Sequence, residues 1–152
     1  MRTVDVVAIR APLELVFETA VQVERWPSIL PHYRFVRFLS RRDGGGTVEM
    51  AAWRPFGPLR YPTWWVSEMT VDRPAREVRY RHVRGITAGM DVVWRLAADG
   101  ARVAVTIVHE WPGPAWPLLG GLAADLIIGP VFIHGIAART LAGLKRYSEG
   151  AS

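Results

Sequence analysis

Hydrophobic and polar positions alternate with period two through most of this chain, and change to a helical period near its end. Thr3–Arg10 is rich in β-branched residues and reads as a strand. Ala11-Pro12 breaks it, and Pro is tolerated in the first turn of a helix. In Leu13–Ala20, residues Leu13, Val16, Phe17 and Ala20 share one helical face. A second short helix is expected over Val23–Ser28, limited by Pro27 and Pro31.

Strands and turns follow. Tyr33–Leu39 and Thr47–Trp53 flank a turn at Asp43-Gly44-Gly45-Gly46, where glycine supplies the positive φ of a tight hairpin. Pro55, Gly57, Pro58 and Pro62 predict a loop. Thr63–Val71, Glu77–Val83, Gly89–Leu96 and Arg102–Trp111 complete seven strands, with turns at Asp72–Ala75, near Gly85 and at Asp99-Gly100. Beyond Pro112 the chain is helical in content, with a break expected at Gly129-Pro130. Ile133, Ile136, Thr140, Leu144 and Tyr147 then share one face, opposite Arg139, Arg146 and Glu149. A six-strand meander leaves one sheet face to be covered, and the terminal helix is the element long enough to cover it. The expectation is an α+β fold: a curved antiparallel sheet of seven strands, two short helices, and a long C-terminal helix over a cavity. The 152 residues fit one domain spanning 1–152.

Composition narrows the chemistry. There is no cysteine, which excludes thiolate metal sites, disulfide scaffolds and Cys nucleophiles. The four histidines are scattered, and no phosphate loop, nucleophile elbow or dinucleotide fingerprint occurs, so neither metal nor cofactor is expected. No secretory signal is evident, because Asp5, Arg10 and Glu14 interrupt the opening segment. The most apolar stretch, Leu118–Ile133, is shorter than the ~20 residues of a membrane span and contains Asp125. Stable membrane insertion is therefore not expected, and a cytoplasmic location is. Net charge is +5, nearly all from 18 arginines. They recur singly along strands, as at Arg34, Arg37, Arg79 and Arg81, which reads as a solvated sheet face rather than a nucleic-acid or anionic-membrane surface. Seven tryptophans are unusual for this length, and some are expected to line a pocket.

Ala11-Pro12-Leu13-Glu14-Leu15-Val16-Phe17, followed by Val23-Glu24-Arg25-Trp26-Pro27-Ser28-Ile29-Leu30-Pro31, resembles the entrance of START-like (SRPBCC) proteins. The likeness is greatest to the polyketide cyclase/dehydratase and coenzyme Q-binding branch, and within it to single-domain aromatase/cyclases. It extends through Trp111 into the final helix. It implies the helix-grip fold and a cavity for an apolar, ring-bearing molecule. Tyr33 matches a tyrosine after the Trp-Pro helix, and Trp65-Val66-Ser67-Glu68-Met69 matches a Trp-Val-Ser-x-Arg cavity strand, with Met69 in place of the arginine.

On that resemblance the face carrying Val103, Val105, Ile107, His109 and Trp111 is the cavity face. His109 is then the candidate general base or acid and Tyr33 the donor to a carbonyl or enolate oxygen. Tyr80 and His82 alternate with Arg79 and Arg81 and are expected to face inward. Trp26, Trp53, Trp65 and Trp94 are the candidate aromatic lining, with Ser67, Met69 and Ile107 as further ligand contacts. Asp125 is a candidate partner for His109 or His134. The implied activity is cofactor-free aldol cyclisation and dehydration of a polyketide-type ligand, with a polyketide synthase or acyl carrier protein as partner. The alternative is non-catalytic carriage of a quinone, lipid or similar hydrophobe.

Overall fold

The computed structural model describes residues 1–56, 58–112 and 130–151. The strands are β1 (Arg2–Ile9), β2 (Tyr33–Arg42), β3 (Gly45–Phe56), β4 (Leu59–Asp72), β5 (Glu77–Gly85), β6 (Asp91–Asp99) and β7 (Arg102–Glu110). They form one antiparallel sheet in the order β1-β7-β6-β5-β4-β3-β2. Among the described residues the α-helices are α1 (Leu13–Val21), α2 (Trp26–Ile29), entered through a 3₁₀ turn at Val23–Arg25, and α3 (Pro130–Ala151). The second helix is thus shorter than expected and preceded by a tighter turn. α3 is described from Pro130 onward. The segment containing Asp125 lies outside the described residues.

Within the predicted loop, residues 55–56 and 59–62 are in fact paired strand. β3 and β4 run on through Trp53↔Pro62, Arg54↔Tyr61 and Pro55↔Arg60 to Phe56↔Leu59. Proline forbids a donated ladder bond but not extended backbone, and here it lies at the tip of a hairpin rather than mid-sheet. The Trp53 N–H is taken by the His32 carbonyl at 2.7 Å.

Curvature comes from irregularities in register. β2 slips against β3 between Tyr33 and Phe35 and between Phe38 and Ser40, and β4 slips against β5 between Val66 and Ser67. Such bulges bend a strand and increase its twist. Gly85 ends β5 at φ 97°, and a Cβ there would stand 2.4 Å from the Trp64 carbonyl oxygen. Only glycine combines that backbone with that approach.

Period-two alternation decides which residues face the helix. On β3, Val48, Met50 and Ala52 are buried; on β7, Val103, Val105 and Ile107 are. α3 lays Ile133, Ala137, Thr140, Leu141 and Leu144 against the sheet and leaves Arg139 and Arg146 exposed. The outer face carries the arginines, many met by carboxylates: Arg37 by Glu49, Arg81 by Asp91, and both Arg79 and Arg95 by Glu77. These pairs neutralise much of the charge a polyanion would seek. No described helix is long and apolar enough to cross a membrane.

Candidate functional site

Between α3 and the concave sheet lies a cavity of about 70 Å³. Its walls bring together Trp26, Tyr33, Trp65, Tyr80, His82, Trp94, Ile107 and His109, all expected from sequence. Three other expected contacts are elsewhere. Trp53 points outward, because Met50 and Ala52 hold the inward positions of β3. Its ring sits between the Arg34 and Arg60 guanidinium carbons, 4.9 and 4.5 Å from the ring centroid. Ser67 and Met69 do face inward and are fully buried, but they pack in the core further along β4, outside the cavity lining.

Sequence reasoning missed Met50, Thr63, Ile86, Thr87, Met90 and Val92, which complete the side facing α3, and the role of Thr140 on α3. Met50 could have been found from its alternation with Val48. Ile86, Thr87 and Met90 sit in the connection between β5 and β6, which periodicity does not describe.

The aromatic wall is a chain of ring contacts. Tyr33 meets Trp26 edge-on at 5.1 Å and Trp65 at 6.2 Å, and Trp26 meets Trp94 at 5.5 Å. Trp26 is held by donation from Nε1 to the Thr19 carbonyl at 3.1 Å, so its polar edge is satisfied in the core. Trp65 stacks on His82.

Four titratable side chains, Tyr33, Tyr80, His82 and His109, line this apolar space. Burial raises the Tyr33 phenol to about 12, opposed by the neighbouring Thr140 hydroxyl. Burial also raises Tyr80 well above its ordinary value, with the nearby Tyr33 adding to the effect. Both phenols therefore keep their protons and act as donors; the Tyr80 hydroxyl has no partner among the described residues. Burial lowers His109 to about 4, and lowers His82 to about 3 with the proximity of His109 contributing. At neutral pH both rings are uncharged, each with one bare nitrogen that can accept a proton. His82 Nδ1 is fixed by the Thr87 hydroxyl at 2.6 Å.

A third histidine stands beside the cavity. The Thr140 hydroxyl lies 2.9 Å from the Ile136 carbonyl and 3.0 Å from His32 Nε2. Burial, aided by the Arg139 charge, lowers the pKa of His32 to about 4. His134 pairs with Asp5 across α3 and β1. Among the described residues, no three His, Asp or Glu side chains converge as a metal site would require.

A curved sheet gripping a helix around a cavity of donors and neutral bases defines the helix-grip class. The chain belongs to the polyketide cyclase/dehydrase and lipid transport family, whose model matches residues 9–128. It is similar to the actinorhodin polyketide synthase bifunctional cyclase/dehydratase of Streptomyces coelicolor, at 28% identity over 127 residues. That match takes in 82% of this chain and 39% of the relative, so the chain spans about two fifths of the bifunctional protein. Its fold superposes on the Zhui aromatase/cyclase from Streptomyces sp. R1128 with a TM-score of 0.84 at 20% identity, covering 98% of this chain and 93% of that one. A START superfamily protein from Mycobacterium smegmatis gives 0.76 at 12% identity, covering 99% of each. These two structures establish the likeness of fold.

Proposed function

We propose that the protein binds a polyketide-type poly-carbonyl molecule in this cavity and catalyses its cofactor-free aldol cyclisation and dehydration. The observation that carries this reading is the meeting of neutral imidazoles and protonated phenols inside one apolar, Trp-walled cavity. His109 takes a proton from a carbon between two carbonyls, and the Tyr33 hydroxyl donates to the enolate oxygen that forms. The enolate carbon attacks a second carbonyl of the folded chain, making the C–C bond. The resulting alkoxide takes the proton from the His109 imidazolium. Loss of a further α-proton to His109 and departure of the hydroxyl, protonated in turn by the imidazolium, releases water and leaves the double bond. Holding both carbonyls in place supplies a large part of the rate.

The substrate class follows from the base. An imidazole lowered to about 4 is a weak base, so the carbon acid must be one that two flanking carbonyls acidify. Among the described residues the lining contains no arginine or lysine, so enolate charge is met by phenol donors. We place this activity in the cytoplasm, with a polyketide synthase or its acyl carrier protein delivering the chain.

The uncharged lining also favours a second reading, carriage of a neutral quinone or lipid. Native mass spectrometry with solvent extraction of the purified protein distinguishes them. A poly-carbonyl chain or its cyclised product supports the enzyme; a quinone or acyl lipid that added poly-β-ketone does not displace supports the carrier.

A further inference from the structure

Among the described residues, five hydroxyls belong to the cavity lining: those of Tyr33, Thr63, Tyr80, Thr87 and Thr140. Four have protein neighbours to bond with. Thr63 donates to the Ala52 carbonyl at 2.9 Å, and Thr87 lies 2.6 Å from His82 Nδ1. Thr140 stands against the Ile136 carbonyl and His32 Nε2, and Tyr33 has the Thr140 side chain beside it. The Tyr80 hydroxyl differs. It is closed off from solvent and bonded by no described residue, and Tyr80 as a whole is 6% exposed. The strands on either side offer it nothing. Met69, directly opposite on β4, carries a thioether that is at best a weak acceptor, and Val92 on β6 is a hydrocarbon. Tyr80 holds an inward position of β5, so its phenol extends from the sheet towards α3, near enough to the Tyr33 phenol to be affected by its charge. Buried polar atoms are rarely left without a partner, because the hydrogen bond surrendered to water is then not replaced.

We propose that Tyr80 is a specificity-determining residue, whose hydroxyl donates a hydrogen bond to a carbonyl oxygen of the bound ligand and so selects carbonyl-bearing ligands over plain hydrocarbons. The direction follows from the ligand, since a carbonyl offers lone pairs and no proton. Burial holds the phenol protonated, so it anchors the oxygen without surrendering its proton. Selection comes from both sides of the balance. A ligand with a carbonyl at this place satisfies the orphaned hydroxyl, whereas a hydrocarbon leaves it buried and unpaired. The inference rests on the cavity being the ligand site, and it holds whether the ligand is turned over or only carried.

Calorimetric titration with 1-indanone and indane, which differ by one carbonyl, tests it on wild type, Tyr80→Phe and Tyr33→Phe. Tyr80→Phe is expected to weaken 1-indanone roughly 3–10-fold, the scale of one neutral hydrogen bond, and to leave indane unchanged. The C=O stretch of bound 1-indanone is expected at lower frequency in the wild type than in Tyr80→Phe. Without ligand, Tyr80→Phe is expected to melt no lower than the wild type, because it loses only an unpaired hydroxyl. An unchanged ratio of the two affinities in Tyr80→Phe, or a ratio that only Tyr33→Phe moves, would overturn the proposal. So would a lower melting temperature, which would show the hydroxyl already bonded within the protein. If the wild type takes up neither probe, this inference fails together with the function proposed above. If 1-indanone binding depends on Tyr80 but no poly-β-ketone is turned over, the cyclase reading fails and the anchor stands.

Discussion

The Trp65 indole lies nearly parallel to the His82 imidazole, 8° between planes and 5.7 Å between centroids. The relationship depends on the register slip in β4. Beyond it Ser67, not Trp65, is the strand partner of His82, and Trp65 is opposite Gly85. Glycine leaves room for the indole to lean along the strand onto the next inward ring. The stack joins the aromatic wall to one of the two bases.

Trp65→Ala is expected to remove this wall and leave a hole that the sheet does not close. Large-to-small substitution of a buried Trp costs about 3–5 kcal/mol. For a domain of this size each kcal/mol lowers Tm by roughly 2–4 °C. Calorimetry should show a drop on the order of 10 °C, and Trp65→Phe a much smaller one, because a ring still stacks on His82. Equal losses in the two variants would mean that the stack contributes nothing beyond volume.

Stability is expected to fall as pH drops from about 6.5 towards 4. His32, His82 and His109 are lowered to about 4, 3 and 4 in the folded state, against about 6.5 unfolded. Between those values the unfolded chain binds protons that the native protein does not. The contribution is therefore whole above pH 6.5 and is lost through this window, at about 1 kcal/mol per histidine per pH unit. Urea midpoints at pH 7.5 and 5.0 check it. Glu49, Glu68 and Glu149, held below the ordinary carboxylate range chiefly by hydrogen bonds from Trp64 and Arg37, from Arg42 and Thr47, and from the Arg10 backbone and Lys145 against a desolvation cost, act lower. A midpoint unchanged from 7.5 to 5.0 would show the rings to be protonated in the folded protein.

Met69→Arg is expected not to create or speed cyclisation. Met69 is 1% exposed and packs in the core outside the cavity lining, opposite Tyr80. An unpaired guanidinium there would lack a partner and cost several kcal/mol. Thermal melts should show the loss, and product formation should not rise. Faster turnover in a stably folded variant would instead place position 69 in the working site.

Ligand entry is expected to require the walls to part. A cavity of about 70 Å³ is well below the ~300–1,000 Å³ of typical ligand pockets. Met50 and Met90 line it, and their unbranched side chains repack readily. Stopped-flow quenching of tryptophan fluorescence by a polycyclic aromatic probe should give rates that plateau with probe concentration, the plateau being the opening rate. A strictly linear dependence would point to a cavity already open.

Much of this was legible in the chain itself. Alternation and turn residues outlined the seven strands, and on β7 alternation put Ile107 and His109 on one face, which the resemblance made the cavity face. The same rule, applied to β3 from Met50, puts Trp53 outside, and the abundance of tryptophan obscured that. The extension of β3 and β4 was hidden because Pro55, Pro58 and Pro62 look like a loop until each strand is given its partner. Thr87 and Met90 depend on how the connection after Gly85 folds back, with the Gly89 N–H bonded to the His82 carbonyl at 2.8 Å. The pairing of Asp5 with His134 spans 129 positions of sequence, and no local pattern announces it.

The central claim is that His109 and Tyr33 move protons on a poly-carbonyl ligand within this cavity. Its most direct test is product analysis of a carrier-tethered poly-β-ketone incubated with wild type, His109→Ala and Tyr33→Phe, with binding measured in parallel. The account predicts a defined cyclised, dehydrated product from the wild type. Both variants should fall at least ~100-fold in rate, the scale of a lost proton-transfer group, while binding weakens far less. Wild-type products matching spontaneous cyclisation, or variants as active as the wild type, would contradict it.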